Sequence, residues 1–130
     1  MNWTKVRLSE LIDQELAPFD QARLNVRGPD VLLEPQQGLS MGIVVHELAT
    51  NAAKYGALSN AEGHLDVTWS VTDGMLAFNW TERGGPPVTE PEVQGFGLNL
   101  LHGEIGYRLG GTVNVDFARE GLVVDIAIAQ

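Results

Sequence analysis

In the stretch His46–Ser59, HELATNAAKYGALS, Glu47, Asn51, Lys54 and Tyr55 stand at i, i+4, i+7 and i+8. At about 3.6 residues per turn these four side chains share one stripe of a helix. A carboxylate, a carboxamide and an ammonium in line suit a bound anion accompanied by a divalent metal. Oxygen donors suit magnesium, which keeps several waters and shares its coordination with substrate phosphates. Beside the stripe, Leu39, Ile43, Val44, Leu48 and Ala52 recur with helical period and predict a core-facing side. Burying unpaired polar groups is costly. The expectation is therefore a helix with one face in the core and the neighbouring face on a polar cavity. On spacing alone the stripe also reads as a solvated helix face with an i,i+4 pair.

Two further segments have chemistry that complements this stripe. The first runs from Trp80 through Glu82, Gly84 and Gly85 to Val88, at the end of an apolar strand pattern. Glu82 there could accept a hydrogen bond from the exocyclic amine of a base, or stand as a solvated loop carboxylate. The second is Gly95-Phe96-Gly97-Leu98, which leads into a helical pattern. Glycines before a helix let backbone N–H groups approach phosphate oxygens, and a helix N-terminus favours negative charge.

These residues need elements to hold them. Residues 7–17 carry Leu8, Leu11, Ile12 and Leu16 at helical spacing, and Pro18 closes the run. Residues 23–27 and 31–33 read as short strands around the turn Gly28-Pro29-Asp30. The long helix is expected from about Gln36 to Tyr55, with Pro35 in its first turn and Gly56 at its C-terminal cap. Residues 64–71 and 75–80 alternate about Thr72-Asp73-Gly74 and predict an antiparallel hairpin. The segment 82–95, rich in Gly, Pro and Glu, is expected to be a mobile loop. A helix over 98–109 follows, with Leu98, Leu101, Ile105 and Leu109 at core spacing. A second hairpin, 112–117 with 122–129, closes the chain. Helices grouped apart from antiparallel strands predict a two-layer α/β (α+β) sandwich. Its mixed, mostly antiparallel sheet would be covered on one face by about three helices.

Composition narrows the function. The chain has 130 residues, 44% of them hydrophobic, enough for one folded domain with a core. Its formal net charge is −9, from 8 basic and 17 acidic residues. That balance argues against nucleic-acid binding and against a polybasic membrane contact. An anionic ligand would depend on metal and backbone donors more than on bulk charge. With no cysteine there is neither a disulfide frame nor a thiolate metal site. Neither a signal peptide nor a span of transmembrane length is apparent, so the expected location is cytoplasmic.

Taken in this order, the three segments resemble the nucleotide-binding boxes of the GHKL ATPase superfamily, which shares the Bergerat fold. More closely, the chain resembles the HWE subgroup of bacterial sensor histidine kinases. That subgroup is named for a His in the first box and a Trp-x-Glu in the second, matched here by His46 and by Trp80-Thr81-Glu82. Gly95-Phe96-Gly97 matches the second glycine box. The resemblance implies ATP and Mg²⁺ as cofactors and a single catalytic ATP-binding domain over 1–130, without the dimerisation and phosphoacceptor domain. It implies Asn51 as the Mg²⁺ ligand, Glu47 handling water or metal, and Lys54 on a phosphate. Tyr55 would lie beside the nucleotide, and Glu82 on the adenine amino group. Gly84 and Gly85 would begin a lid at about 83–94, with Gly95, Phe96, Gly97 and Leu98 at its far hinge. His46, about 100° round the helix from Glu47, is expected in a supporting hydrogen bond. Trp80 is expected to pack beneath the adenine pocket or the sheet, and His64 and His102 at the surface. The implied partners are a histidine phosphoacceptor domain, in the same protein or a dimer mate, and the receiver domain of a response regulator. A nucleotide-binding module that regulates a partner by docking, as GHKL anti-sigma factors do, is the alternative.

Overall fold

The computed structural model describes residues 5–86 and 98–130, apart from the side chain of Leu98. The elements are β1 (Val6–Arg7), α1 (Leu8–Leu16), β2 (Leu24–Arg27), β3 (Leu32–Leu33), α2 (Pro35–Lys54), β4 (His64–Thr72), β5 (Met75–Arg83), α3 (Leu98–Leu101, continued as a π-helix over His102–Arg108), β6 (Thr112–Ala118) and β7 (Gly121–Ala129). Five strands form one sheet in the order β2-β4-β5-β7-β6. The β2–β4 pairing is parallel and the other three are antiparallel. The two-residue strands β1 and β3 pair separately.

Alternation decides which face of the sheet is covered. β4 buries Leu65, Val67 and Trp69, β5 buries Leu76, Phe78 and Trp80, and β7 buries Val124, Ile126 and Ile128. The residues between them, such as Ser70, Ala77 and Asp125, are exposed. The helices therefore form one layer against one sheet face, which is the two-layer α/β arrangement expected. The β4–β5 hairpin turns at Asp73 and Gly74, both left-handed, with φ of 53° and 76°. That geometry matches the right-handed twist of the flanking strands.

α2 begins with Pro35 and a reciprocal cap, in which the Glu34 N–H donates to Gln37 Oε1 at 3.1 Å. Its core stripe is Met41, Val44, Val45, Leu48, Ala49 and Ala52. The expected stripe was rotated too far: Leu39 is 56% exposed and Ile43 half-buried. Both line an open groove between α1 and α2 together with Leu11. α1 buries Leu8, Ile12 and Leu16. α3 buries Leu101 and Ile105, and Glu104 accepts a hydrogen bond from the Ser40 hydroxyl of α2 at 2.9 Å. Among the described residues no helix is long and apolar enough to cross a membrane.

Candidate functional site

The alternation that buries Leu76, Phe78 and Trp80 carries on to Glu82, which therefore lies on the core side of β5 and is only 3% exposed. A polar loop is expected to begin at this residue; the strand in fact runs one residue past it, to Arg83. Two rigid donors hold the carboxylate. The Ala57 N–H donates to Oε1 at 3.0 Å and the Trp80 indole N–H donates to Oε2 at 2.9 Å. Burial pushes the Glu82 carboxyl above its ordinary pKa, while the bonds from Ala57 and Trp80 pull it back down.

Gly56 makes room for this carboxylate. It ends α2, where its N–H donates to the carbonyls of Asn51 and Ala52, both at 3.1 Å. Gly56 thus takes the expected place at the C-terminal cap, but without a left-handed conformation, since it is not among the positive-φ residues. The reason for a glycine here is space: a Cβ would overlap Glu82 Oε1 and lie 3.1 Å from Glu82 Cδ. Gly85 approaches the same turn, where a Cβ would stand 2.6 Å from Ala57 Cα. The Gly84 N–H reaches the Glu120 carbonyl at 3.3 Å.

Arg23, just before β2, fixes the turn that supplies Ala57. Its Nε–H donates to the Gly63 carbonyl at 2.8 Å, and its Nη2 donates to the carbonyls of Ala57, at 2.9 Å, and Asn60. Asn60 Oδ1 accepts from the N–H groups of Glu62 and Gly63 at 3.2 and 2.9 Å. Sequence reasoning missed both residues. A guanidinium bound to main-chain carbonyls leaves no side-chain partner to be found by spacing.

On α2 the stripe is formed as the spacing requires. Glu47 and Asn51 are half-buried, and the Asn51 amide donates to Glu47 Oε1 at 3.4 Å. Lys54 and Tyr55 are exposed at the helix end. His46 points away from the core, and its Nδ1 lies 2.7 Å from Glu15 Oε1 of α1. Glu47 and His46 line an open groove of about 950 Å³ with Leu11, Leu39, Ile43 and Leu100. Asn51, Lys54 and Glu82 do not line that groove. The structure thus joins Glu82 and Gly85 to the C-terminal end of α2, with Gly84 against the following turn at Glu62 and the Glu47–Asn51 pair on the turns before that end. Gly95, Phe96 and Gly97 lie outside the described residues, as does most of the expected lid and the side chain of Leu98. His64 and His102 are exposed.

No family model matches the chain. Curated blue-light-activated histidine kinases from Brucella ovis and Brucella anthropi are each 36% identical to it over 132 residues, or 96% of this chain. The chain spans about a quarter, 27%, of the length of those relatives. Among solved structures, the histidine kinase domain of the Erythrobacter litoralis EL346 blue-light activated histidine kinase aligns with a TM-score of 0.80 at 20% identity. That alignment covers 99% of this chain and 64% of the other. The catalytic domain of histidine kinase ThkA aligns with a TM-score of 0.74 at 19% identity, covering 99% and 96%. Nearly the whole of this chain is thus 36% identical to a part of curated histidine kinases, and its fold is that of a histidine kinase catalytic domain.

Proposed function

We propose that residues 1–130 form the ATP-binding catalytic domain of a bacterial sensor histidine kinase of the HWE type. The observation that carries this reading is the meeting at the end of α2. A carboxamide–carboxylate pair, Asn51 and Glu47, occupies one helix face, and a buried carboxylate held by two N–H donors lies against the last turn. The first suits a metal–phosphate group and the second suits an amino group.

Among the described residues no group of three or more His, Cys, Asp or Glu side chains could hold a metal ion. A magnesium ion here would depend on phosphate oxygens for much of its coordination, which fits a single amide ligand from Asn51. Bound Mg-ATP supplies the transferable phosphoryl group. Phosphoryl transfer needs positioning and charge stabilisation more than covalent help. Glu47 holds the Asn51 amide through the bond at 3.4 Å, so its remaining oxygen is available to water or metal. Lys54 offers a charge to phosphate, Tyr55 an aromatic face to the nucleotide, and Glu82 an acceptor for the adenine amino group. His46 braces the Glu47 turn against α1 through Glu15. Gly84 and Gly85 would begin the lid, and the resemblance assigns Gly95, Phe96, Gly97 and Leu98, which lie outside the described residues or side chains, to its far hinge. The acceptor histidine lies on a separate dimerisation domain, and the phosphoryl group passes on to the aspartate of a response regulator.

The test is calorimetry with Mg-ATP, followed by incubation with labelled ATP and a purified histidine-bearing acceptor domain. The expected result is saturable, magnesium-dependent binding and acid-labile label on the acceptor. Absence of binding at millimolar nucleotide would refute the nucleotide site. Binding without transfer would favour a docking regulator over a kinase.

A further inference from the structure

A buried glutamate has three rotatable bonds, and its last torsion is broad and weakly determined. One anchor on Oε1, from the Ala57 N–H at 3.0 Å, would leave the carboxylate plane free to turn. A second anchor on the other oxygen, from the Trp80 indole at 2.9 Å, removes that freedom. The indole itself is fully buried, between its cross-strand neighbours Val67 and Val124, which are also fully buried. Resting on the reading of Glu82 as the contact to the base, we propose that Trp80 is a positioning residue for base selection. Its N–H fixes one oxygen of the Glu82 carboxylate, so that the remaining acceptor capacity is presented to an exocyclic amino group of a purine.

The chemistry of the pocket supports this assignment. A carboxylate has about four acceptor sites and no donor. Two are taken by donors rigidly attached to the fold, so a ligand is selected for the hydrogen it brings. An amino group at the purine 6-position matches; a carbonyl there sets acceptor against acceptor. The bond from Trp80 also opposes the upward push of burial on the Glu82 carboxyl. Without it, more of the carboxyl is neutral and carries a hydrogen that a carbonyl can accept. Trp69 offers a contrast within the same sheet. It spends its indole N–H on a main-chain carbonyl, that of Pro29 at 2.8 Å, rather than on a carboxylate.

The experiment compares calorimetric affinities for Mg-ATP and Mg-ITP, which differ at the 6-position, amino group against carbonyl, and at the adjoining N1, which carries a hydrogen only in ITP. Trp80 is replaced site-specifically by benzothienylalanine, which keeps the ring shape and puts sulfur in place of N–H. Trp80→Phe serves as a coarser variant, and should it fail to fold, the isostere decides. The ATP-over-ITP preference is expected to fall about tenfold, in line with the loss of a hydrogen bond to a charged group, and the isostere should still unfold cooperatively, at a midpoint lowered by the loss of that bond. The same isostere at Trp69 should leave the preference intact. A purely structural role would weaken both nucleotides together. If Glu82→Gln lowers the preference but the Trp80 isostere does not, the positioning role is overturned and the Glu82 contact stands. If the unaltered chain shows no preference, or Glu82→Gln leaves it unchanged, the base contact fails and the proposal falls with it.

Discussion

Gly56→Ala isolates the space that the Glu82 carboxylate occupies. Gly56 is not in a left-handed conformation, so alanine there should by itself stabilise the fold by about 0.5–1 kcal/mol through the unfolded chain. The added Cβ, however, would overlap Glu82 Oε1 and sit 3.1 Å from both Glu82 Cδ and Ala52 Cα. The carboxylate can give way only by leaving the Ala57 N–H, the Trp80 N–H or both. Losing one charge-assisted bond costs about 1.5–3 kcal/mol. The larger effect wins, and the net destabilisation is about 1–2 kcal/mol. Urea unfolding reads this as a lower midpoint at constant m-value. The double variant Gly56→Ala/Glu82→Ala removes the obstructing carboxylate, so the alanine at 56 should become neutral or favourable in that background. If Gly56→Ala alone proves as stable as the parent, or its cost persists without Glu82, the packing argument is wrong.

Three further outcomes follow from the same geometry. Asn51→Ala should weaken magnesium-dependent ATP binding at least tenfold by calorimetry while leaving the circular dichroism spectrum unchanged, because the amide lies on the half-buried face rather than in the core. Arg23→Ala removes three bonds to the turn 57–63 and should destabilise by about 2–3 kcal/mol, with faster amide exchange of Ala57 and Gly63 measured before any global loss. The third outcome concerns pH. Burial raises the Glu82 carboxyl above its unfolded value, so between those two values the folded state binds more protons than the unfolded chain. The stability contributed by this group is fully present below the unfolded pKa and is lost as pH rises through the folded one. Glu82→Gln should therefore flatten the stability profile across that window; an unchanged slope in pH-dependent unfolding would contradict the assignment.

The parts of the fold that rest on local pattern were legible in the sequence. The α2 helix, the hairpin turning at Asp73-Gly74 and the closing hairpin repeat with periods of 3.6 or 2, and each lies within one continuous stretch. The pairing of β1 with β3 and the parallel join of β2 to β4 were not, because Leu24 meets Leu65 only through the arrangement of everything between them. The helix stripe from Glu47 to Tyr55 was visible because one element carries it. Glu82 was visible as a motif, but its burial was hidden by the glycines and prolines after it, which made the strand seem to end early. Continuing the alternation Leu76, Phe78, Trp80 by one step would have found it. The space left at Gly56 and the carbonyl bonds of Arg23 are relations between distant segments, and nothing in the residue types announces them.

The middle position of β5 has a dynamic consequence. Paired with β4 on one side and β7 on the other, its main chain belongs to the part of the sheet whose amides open only with the whole fold. The Glu82 carboxylate, proposed as the acceptor for a base, is thus carried by a strand paired on both sides. Sequence drift or thermal fraying at the outer strands β2 and β6 would be felt as a loss of stability well before it displaced the Glu82 carboxylate.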